Sequence, residues 1–178
     1  MGMDTVAIAV GTGGGASEDE MKAIEFQGVE NQAAALAAVG NGSLTSLRVV
    51  LCSSMGTTNP KPPPFEGGAV LFWKLNAEAF LSSSGIPSTI VKPCGLKDAP
   101  QGTSELATGH DDTIPGLVAS HAIARADVAA VMAEAVVQRS AVRFALCSKL
   151  LGKPTTDYAA LLDQARWPWQ RAAPALAA

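Results

Sequence analysis

Charged and aromatic side chains are both scarce in this sequence. Asp, Glu, Lys and Arg make up 16% of the 178 residues and Phe, Trp and Tyr 5%, with a formal net charge of −3. This slight acidity argues against a nucleic-acid surface, which needs a basic patch. No apolar run reaches the roughly 18 residues that a membrane-spanning helix requires. The hydrophobic content of 48% suffices for one ordinary core, so composition predicts a single domain.

Cysteines are also few, and their spacing is wide. The set of three, Cys52, Cys94 and Cys147, fits neither a zinc cluster nor a disulfide framework. Cys52 and Cys147 lie in apolar, strand-like runs and are interpreted as small buried side chains. We therefore expect a reducing compartment. The amino-terminal segment has neither the basic n-region of a secretory signal nor the Arg/Ser bias of a transit peptide.

Apolar runs that are typical of strands alternate with helical periodicities along the chain. Strands are predicted over 5–10, 46–54, 88–92 and 141–148, with shorter pieces near "SELATG" and "SHAIAR". Helices are predicted over 17–39, with Ser17 and Glu20 as a capping box, over 68–84 with a buried stripe that includes Trp73, over 125–138, and over 155–165, capped by Thr155 or Thr156. This alternation implies parallel pairing with right-handed crossovers. It predicts a three-layer α/β domain with about four strands over 1–166 and a frayed tail over 167–178.

A glycine run after the first strand formally fits a dinucleotide fingerprint. In "VAIAVGTGGGASEDEM", the three matching positions are Gly11, Gly13 and Ala16. Such a fingerprint presents helix N-terminal amides to a diphosphate, but this helix begins with three carboxylates, which would repel one. The next strand also ends on paired serines, where an acidic ribose ligand is expected. We therefore favour a flexible glycine turn at a sheet edge.

Three segments resemble, in order, the second half of atypical short-chain dehydrogenase/reductases of the NmrA-like type. They are "VVLCSSMGTTNP", "VLFWKLNAEAFLSSSGIPSTIVKPCGL" and "IARADVAAVMAEAV", and the resemblance covers about 4–163. It implies a partial Rossmann-like parallel sheet with NADP lying across the switch point, and an NADPH-dependent oxidoreductase in the cytoplasm or a plastid. The resemblance begins at the family's fourth strand, so the first three strands and the true glycine-rich loop have no counterpart in this sequence.

The resemblance also implies site residues. Ser54 would hydrogen-bond a substrate carbonyl, and Lys74 would hold the nicotinamide ribose, so both are candidate catalytic residues. Further cofactor contacts are expected from Ser53, Met55, Pro93, Cys94, Gly95 and Leu96. Two alternatives remain open: Ser54 closing its strand through local backbone, and Lys74 facing Glu78 one turn on. The family's tyrosine, four positions before the lysine, is replaced by Val70.

The remaining polar residues favour structural roles. His110 and His121 are expected in surface loops, without a third ligand that would make a metal site, and Arg125 and Asp127 would anchor a helix start. A rival hypothesis is a non-catalytic accessory subunit or a partial gene product. In that case the exposed edge strand, Thr5 to Val10, would be covered by a protein partner.

Overall fold

Seven short strands form two sheets in the computed structural model, which describes residues 3–40, 43–58, 68–114 and 122–171. They are β1 (Thr5–Ile8), β2 (Arg48–Cys52), β3 (Ser88–Pro93), β4 (Leu96–Lys97), β5 (Leu106–Gly109), β6 (Ile123–Ala124) and β7 (Arg143–Ser148). The main sheet has the order β1-β2-β3-β7-β5, in which β5 alone is antiparallel. β4 and β6 form a separate parallel pair. The predicted α/β class is therefore confirmed, with one more strand in the main sheet than expected.

Helices cover both faces of the main sheet. They are α1 (Glu18–Met21), α2 (Gly28–Val39), α3 (Gly68–Ser83), α4 (Arg125–Gln138) and α5 (Tyr158–Ala165). Strand side chains alternate between two cores: Val49 and Leu51 pack under α2 and α3, whereas Val50 packs under α4 and α5. Within the described ranges, no helix is long and apolar enough to cross a membrane.

Local details differ from the sequence-based expectations in physically simple ways. β1 lies at an end of the sheet, as predicted for Thr5 to Val10, but it is not buried on both faces, because its alanine at position 7 is exposed. The last helix is capped by Asp157, whose carboxylate accepts the Ala160 N–H at 2.8 Å, and not by Thr155 or Thr156. Trp73 is only half-buried. The capping box of Ser17 and Glu20 is confirmed.

A π-helical segment, Lys22–Gln27, joins α1 to α2 and breaks the predicted regular helix. An extra residue per turn rotates the side chains that follow it, and such segments are frequent at functional sites. Here Glu25 is buried, whereas the neighbouring apolar Ile24 is 40% exposed. The Glu25 carboxylate of this segment therefore lies in the protein interior.

An ion pair lies at the end of β3, beneath the segment that follows β2. Lys92 is fully buried, and its Nζ lies 2.5 Å from an Asp112 oxygen and 3.3 Å from the Thr58 hydroxyl. Partial burial alone would raise the pKa of Asp112. Hydrogen bonds from Lys92 and Thr58, and the charge of Lys92, outweigh that effect and hold the pKa of Asp112 below its ordinary value. A charged lysine inside an apolar strand is tolerated because this partner is present.

Val131 tests the packing of α4 against the sheet. Val131→Ala removes two methyl groups from a side chain that is 0% exposed, and should lower the free energy of unfolding by about 2–3 kcal/mol. The matched control is Val137→Ala on the same helix, where the side chain is 77% exposed and the change should stay below about 0.5 kcal/mol. Urea denaturation measures both, and equal effects would contradict the packing.

The ion pair of Asp112 should make stability depend on acidity. Because the folded-state pKa lies below the unfolded value of about 3.9, its stabilisation is present above that value and is lost as the pH falls through the folded pKa. Asp112→Asn should lower the free energy of unfolding at pH 7 by about 3 kcal/mol and flatten its decline between about pH 5 and 3.

The control is Asp98→Asn, which removes the exposed carboxylate that pairs with Arg125. It should keep the wild-type acid dependence in denaturant titrations at each pH, since exposed pairs contribute little. An Asp112→Asn protein that retained the full wild-type decline would refute the assignment.

Candidate functional site

Two of the predicted segments meet at the carboxyl edge of the parallel sheet. The Ser53 N–H donates to the Val91 carbonyl at 2.8 Å, and the Met55 N–H donates to the Pro93 carbonyl at 3.0 Å. The Gly95 carbonyl accepts the Ile123 N–H at 2.8 Å, and this hydrogen bond fixes the position of Gly95. Residues 53–55 and 93–96 thus form one continuous rim, which we call the crevice rim.

Ser54 and Ser53 use their hydroxyls differently. Ser54 is half-buried, and its Oγ donates to the Met55 carbonyl at 2.8 Å, which is the local-backbone arrangement left open above. Ser53 is buried, and its Oγ donates to Glu78 Oε1 at 2.5 Å. The Ser54 hydroxyl is therefore bound only to local backbone, whereas the Ser53 hydroxyl is bound to a buried carboxylate.

Lys74 does not face Glu78. Its Nζ lies 2.7 Å from Glu25 Oε2, and the two side chains are 15% and 1% exposed. The other Glu25 oxygen accepts the Thr12 N–H at 2.7 Å and the Thr12 hydroxyl at 3.0 Å. The predicted ribose lysine is thus held by the carboxylate that the π segment turns inward, and the same carboxylate restrains the glycine run.

The head of Lys74 lies beside the end of β2. Together with Glu25, Cys52 and Ser53, it lines a narrow crevice that is too small for a water molecule and that reaches the rim at Ser53. Burial raises the pKa of the Cys52 thiol, and the nearby Lys74 charge only partly opposes this effect. Cys52 is therefore a protonated neighbour of this site.

Glu78 organises the loop that follows β2. It is 2% exposed and accepts hydrogen bonds from the Ser53 hydroxyl, from the Thr57 hydroxyl at 2.9 Å, and from Arg143 Nε at 2.8 Å. Sequence reasoning missed this role for Glu78 and Arg143. The available signal was Arg143 in the mostly apolar run of β7, because a buried charge requires a partner.

Cys94 and Cys147 form a disulfide, with Cα atoms 5.1 Å apart. This corrects the expectation that the three cysteines form no disulfide. Sequence spacing gave no hint of it, because the pair is created by strand register. Pro93 pairs with Leu146 across β3 and β7, so the next residue of each strand comes side by side. Cys52 is free.

The other candidate residues take structural positions. His110 stacks on Trp167 with ring centroids 3.7 Å apart and is half-buried, so it is not the simple surface histidine expected, while His121 lies outside the described residues. Asp127 is buried and accepts the Gly102 N–H at 2.7 Å, and Arg125 pairs with Asp98 at 2.6 Å, both as structural anchors. No metal-ligating group of three or more side chains occurs among the described residues.

A family model of NAD(P)H-binding proteins matches residues 1–139. Among curated proteins, a chloroplastic protein of unknown function from Arabidopsis thaliana is 36% identical over 147 residues, which cover 79% of this chain and 43% of that protein. Sanguinarine reductase from Eschscholzia californica is 34% identical over 129 residues, covering 68% of this chain and 46% of the reductase. The chain thus spans less than half the length of these curated relatives.

Solved structures share the fold. A Bacillus halodurans protein described as an NAD-dependent epimerase/dehydratase superposes with a TM-score of 0.72 at 25% identity, covering 91% of this chain and 70% of that one. An oxidoreductase from Lactococcus lactis superposes with a TM-score of 0.67 at 18% identity, over 92% and 68% of the two chains, and shows the fold alone. Fold and family match therefore agree: the chain belongs to the NAD(P)H-binding family, within the class of atypical short-chain dehydrogenase/reductase-like proteins.

Proposed function

We propose that this chain forms the nicotinamide and substrate side of an NADPH-dependent oxidoreductase site. The observation that carries the proposal is that residues 53–55 and 93–96 form one rim at the carboxyl edge of the sheet, and that Lys74 lies beside Ser53 at the end of β2. In open α/β sheets, ligands bind outside the carboxyl ends of the strands, which is where this rim lies.

The described residues fit one part of a dinucleotide better than the other. At the exposed Gly95, an added Cβ would meet no atom within 4 Å, so nothing covers the backbone of the rim there. The glycine run offers a diphosphate little, because the Thr12 N–H is already bound by Glu25. The helix behind that run begins with three carboxylates, Glu18, Asp19 and Glu20, which repel phosphate.

The diphosphate must therefore be bound by groups outside this rim. β1 pairs only with β2 among the described strands, so its other side is free to continue the sheet. We infer that strands added on that side, from the same polypeptide or another, would carry the diphosphate cradle. The two curated relatives are more than twice as long as the part that this chain matches, so longer proteins with this fold exist.

A bound nicotinamide supplies hydride to an electrophilic carbon of the substrate. The Ser54 hydroxyl would turn from the Met55 carbonyl to the substrate oxygen and hold it by a hydrogen bond. Lys74 has three N–H donors, so it can keep its ion pair with Glu25 and also donate to ribose hydroxyls. Position 70 is valine, so this helix offers no tyrosine proton. A small carbonyl or enone is the substrate class proposed, and the name of the relative from Eschscholzia californica, sanguinarine reductase, supports reduction as the direction.

The NADPH contact of Lys74 can be measured directly. The double variant Glu25→Gln/Lys74→Met removes both members of the buried pair and so leaves no uncompensated charge. It should weaken NADPH binding at least tenfold, because the ribose loses its charged donor. Titration followed by coenzyme fluorescence gives the dissociation constant, and parallel NADH titration tests the preference for the phosphorylated coenzyme.

The matched control is Lys153→Met, which removes an exposed lysine outside the crevice. It should bind NADPH like the wild type. Wild-type protein that leaves coenzyme fluorescence unchanged at millimolar NADPH would reject the proposed function for this chain alone.

A non-catalytic accessory subunit is the second candidate, favoured by the free side of β1. The Asp4 carbonyl accepts the Arg48 N–H at 2.8 Å, so polar backbone groups of positions 4, 6 and 8 face β2. Backbone groups of Thr5 and Ala7 consequently point away from the sheet. Such an edge is a template for pairing with another chain.

The variant Ala7→Pro should distinguish hydrogen bonding on the outer side of β1 from hydrogen bonding to β2. Proline removes an outward N–H and leaves the bonds to β2 intact. If a second copy of this chain pairs with this edge, wild-type protein should exceed the 18.2 kDa monomer mass in light scattering, and Ala7→Pro should return it to that mass. Val6→Pro is the contrasting variant, which should instead destabilise the fold. A monomeric wild type at tens of micromolar would count against a self-paired edge.

A further inference from the structure

The bonded cysteines are brought together by the backbone and not by the bridge itself. Cys94 directly follows β3, and its N–H donates to the Leu146 carbonyl at 2.9 Å, which extends the ladder between β3 and β7. Neighbouring strands lie about 4.8 Å apart, within the range that a disulfide spans. The two sulfurs therefore stay adjacent whether or not they are bonded, so the bridge can open and close without refolding.

Access to the two sulfurs is unequal. Cys147 is 1% exposed, whereas Cys94 is only half-buried on the crevice rim. Thiol–disulfide exchange requires an incoming thiolate to reach one sulfur. Cys94 is therefore the sulfur that is attacked, and Cys147 is the leaving group.

Met55 connects this pair to the proposed substrate residue. Its Sδ lies 3.2 Å from Cys94 Sγ and 3.3 Å from Cys147 Sγ. Two separate thiols need more room than one disulfide, so opening the bridge displaces Met55. Met55 follows Ser54 and donates its N–H to the Pro93 carbonyl, so the displacement acts on the whole rim.

From these contacts, we propose that Cys94 and Cys147 are a reversible thiol–disulfide site whose state adjusts the crevice rim. The partner chemistry is a dithiol. Its first thiolate attacks the Cys94 sulfur and expels Cys147 as a thiolate. Its second thiolate then attacks its own sulfur in the mixed disulfide and expels Cys94. The two cysteines take up the two protons of the dithiol, and the reagent leaves as a disulfide. Oxidised glutathione restores the bridge and leaves as two reduced molecules.

Thiol counting tests the site without any coenzyme. After treatment with oxidised glutathione, alkylation of denatured protein should modify one cysteine, Cys52, and after dithiothreitol all three. Brief alkylation of folded, reduced protein should label Cys94 before Cys147 in peptide mass spectra. Cys52→Ser should lower each count by one and keep the bridge. Three free thiols under oxidising conditions, or a bridge that includes Cys52, would overturn the proposal.

Hydrogen–deuterium exchange tests the effect on the rim. Reduction should increase exchange in peptides that cover residues 53–58 and 93–97. Cys94→Ser should show no difference between the two treatments. Unchanged exchange in wild-type protein that has been shown to open its bridge would refute the coupling to the rim.

The consequence for coenzyme rests on the proposed function. Bridged protein should bind NADPH at least threefold more tightly than reduced protein, because the bridge holds the rim in place. Thiol counts and exchange that change as expected, with no NADPH binding in either state, would reject the proposed function and leave the thiol site established. Equal NADPH affinity in both states would reject the effect on coenzyme binding.

Discussion

The site depends on a carboxylate that is buried where the sheet meets α3. An ionised carboxylate away from water is costly unless charged and hydrogen-bonding partners surround it. Glu78 meets that requirement with Ser53, Thr57 and Arg143, and two of these partners belong to the loop after β2. Satisfying one buried charge therefore fixes the loop that carries Ser54. The crevice rim is therefore positioned both by the hydrogen bonds to the buried Glu78 carboxylate and by the backbone hydrogen bonds between strands.

Lys74 illustrates the same constraint with a different outcome. Its partner Glu25 is buried within the π segment and also accepts a hydrogen bond from the Thr12 N–H in the glycine loop. A single carboxylate thus links α3, the helix at the start of the domain and the loop after β1. The pairing with Glu25 orients Lys74 toward the crevice. Since an ammonium has three N–H donors, Lys74 can still donate hydrogen bonds to a ligand. The ion pair with Glu25 holds Lys74 in place, and the same carboxylate also restrains the glycine loop through Thr12.

Periodicity predicted the elements, but pairing between distant residues had to be observed. The strands and the capping box at Ser17 follow from local pattern, whereas the edge position of β1 was implied by the family resemblance. The partner of Lys74 does not, because an i, i+4 neighbour was available and a π segment leaves no clear mark in the sequence. The Cys94–Cys147 bridge likewise depends on strand register, which a wide sequence separation conceals. Charged residues inside apolar runs, such as Lys92, were the one signal of a buried network, since each demands a partner.

The two edges of the main sheet differ in a way that constrains any function. Beside β5, the Leu106 N–H donates to the Thr155 hydroxyl at 2.8 Å, and the Thr155 N–H donates to the Ser104 carbonyl, so this edge is partly covered by its own chain. Among the described residues, β1 has no such cover, and small side chains such as Ala7 leave its backbone open. An uncovered edge is a template for pairing with another strand. The oxidoreductase needs a diphosphate cradle on that side, and the accessory subunit needs a partner there. Both proposed functions therefore predict that β1 is extended, by strands that carry the diphosphate cradle or by a partner protein, and identifying that extension would distinguish them.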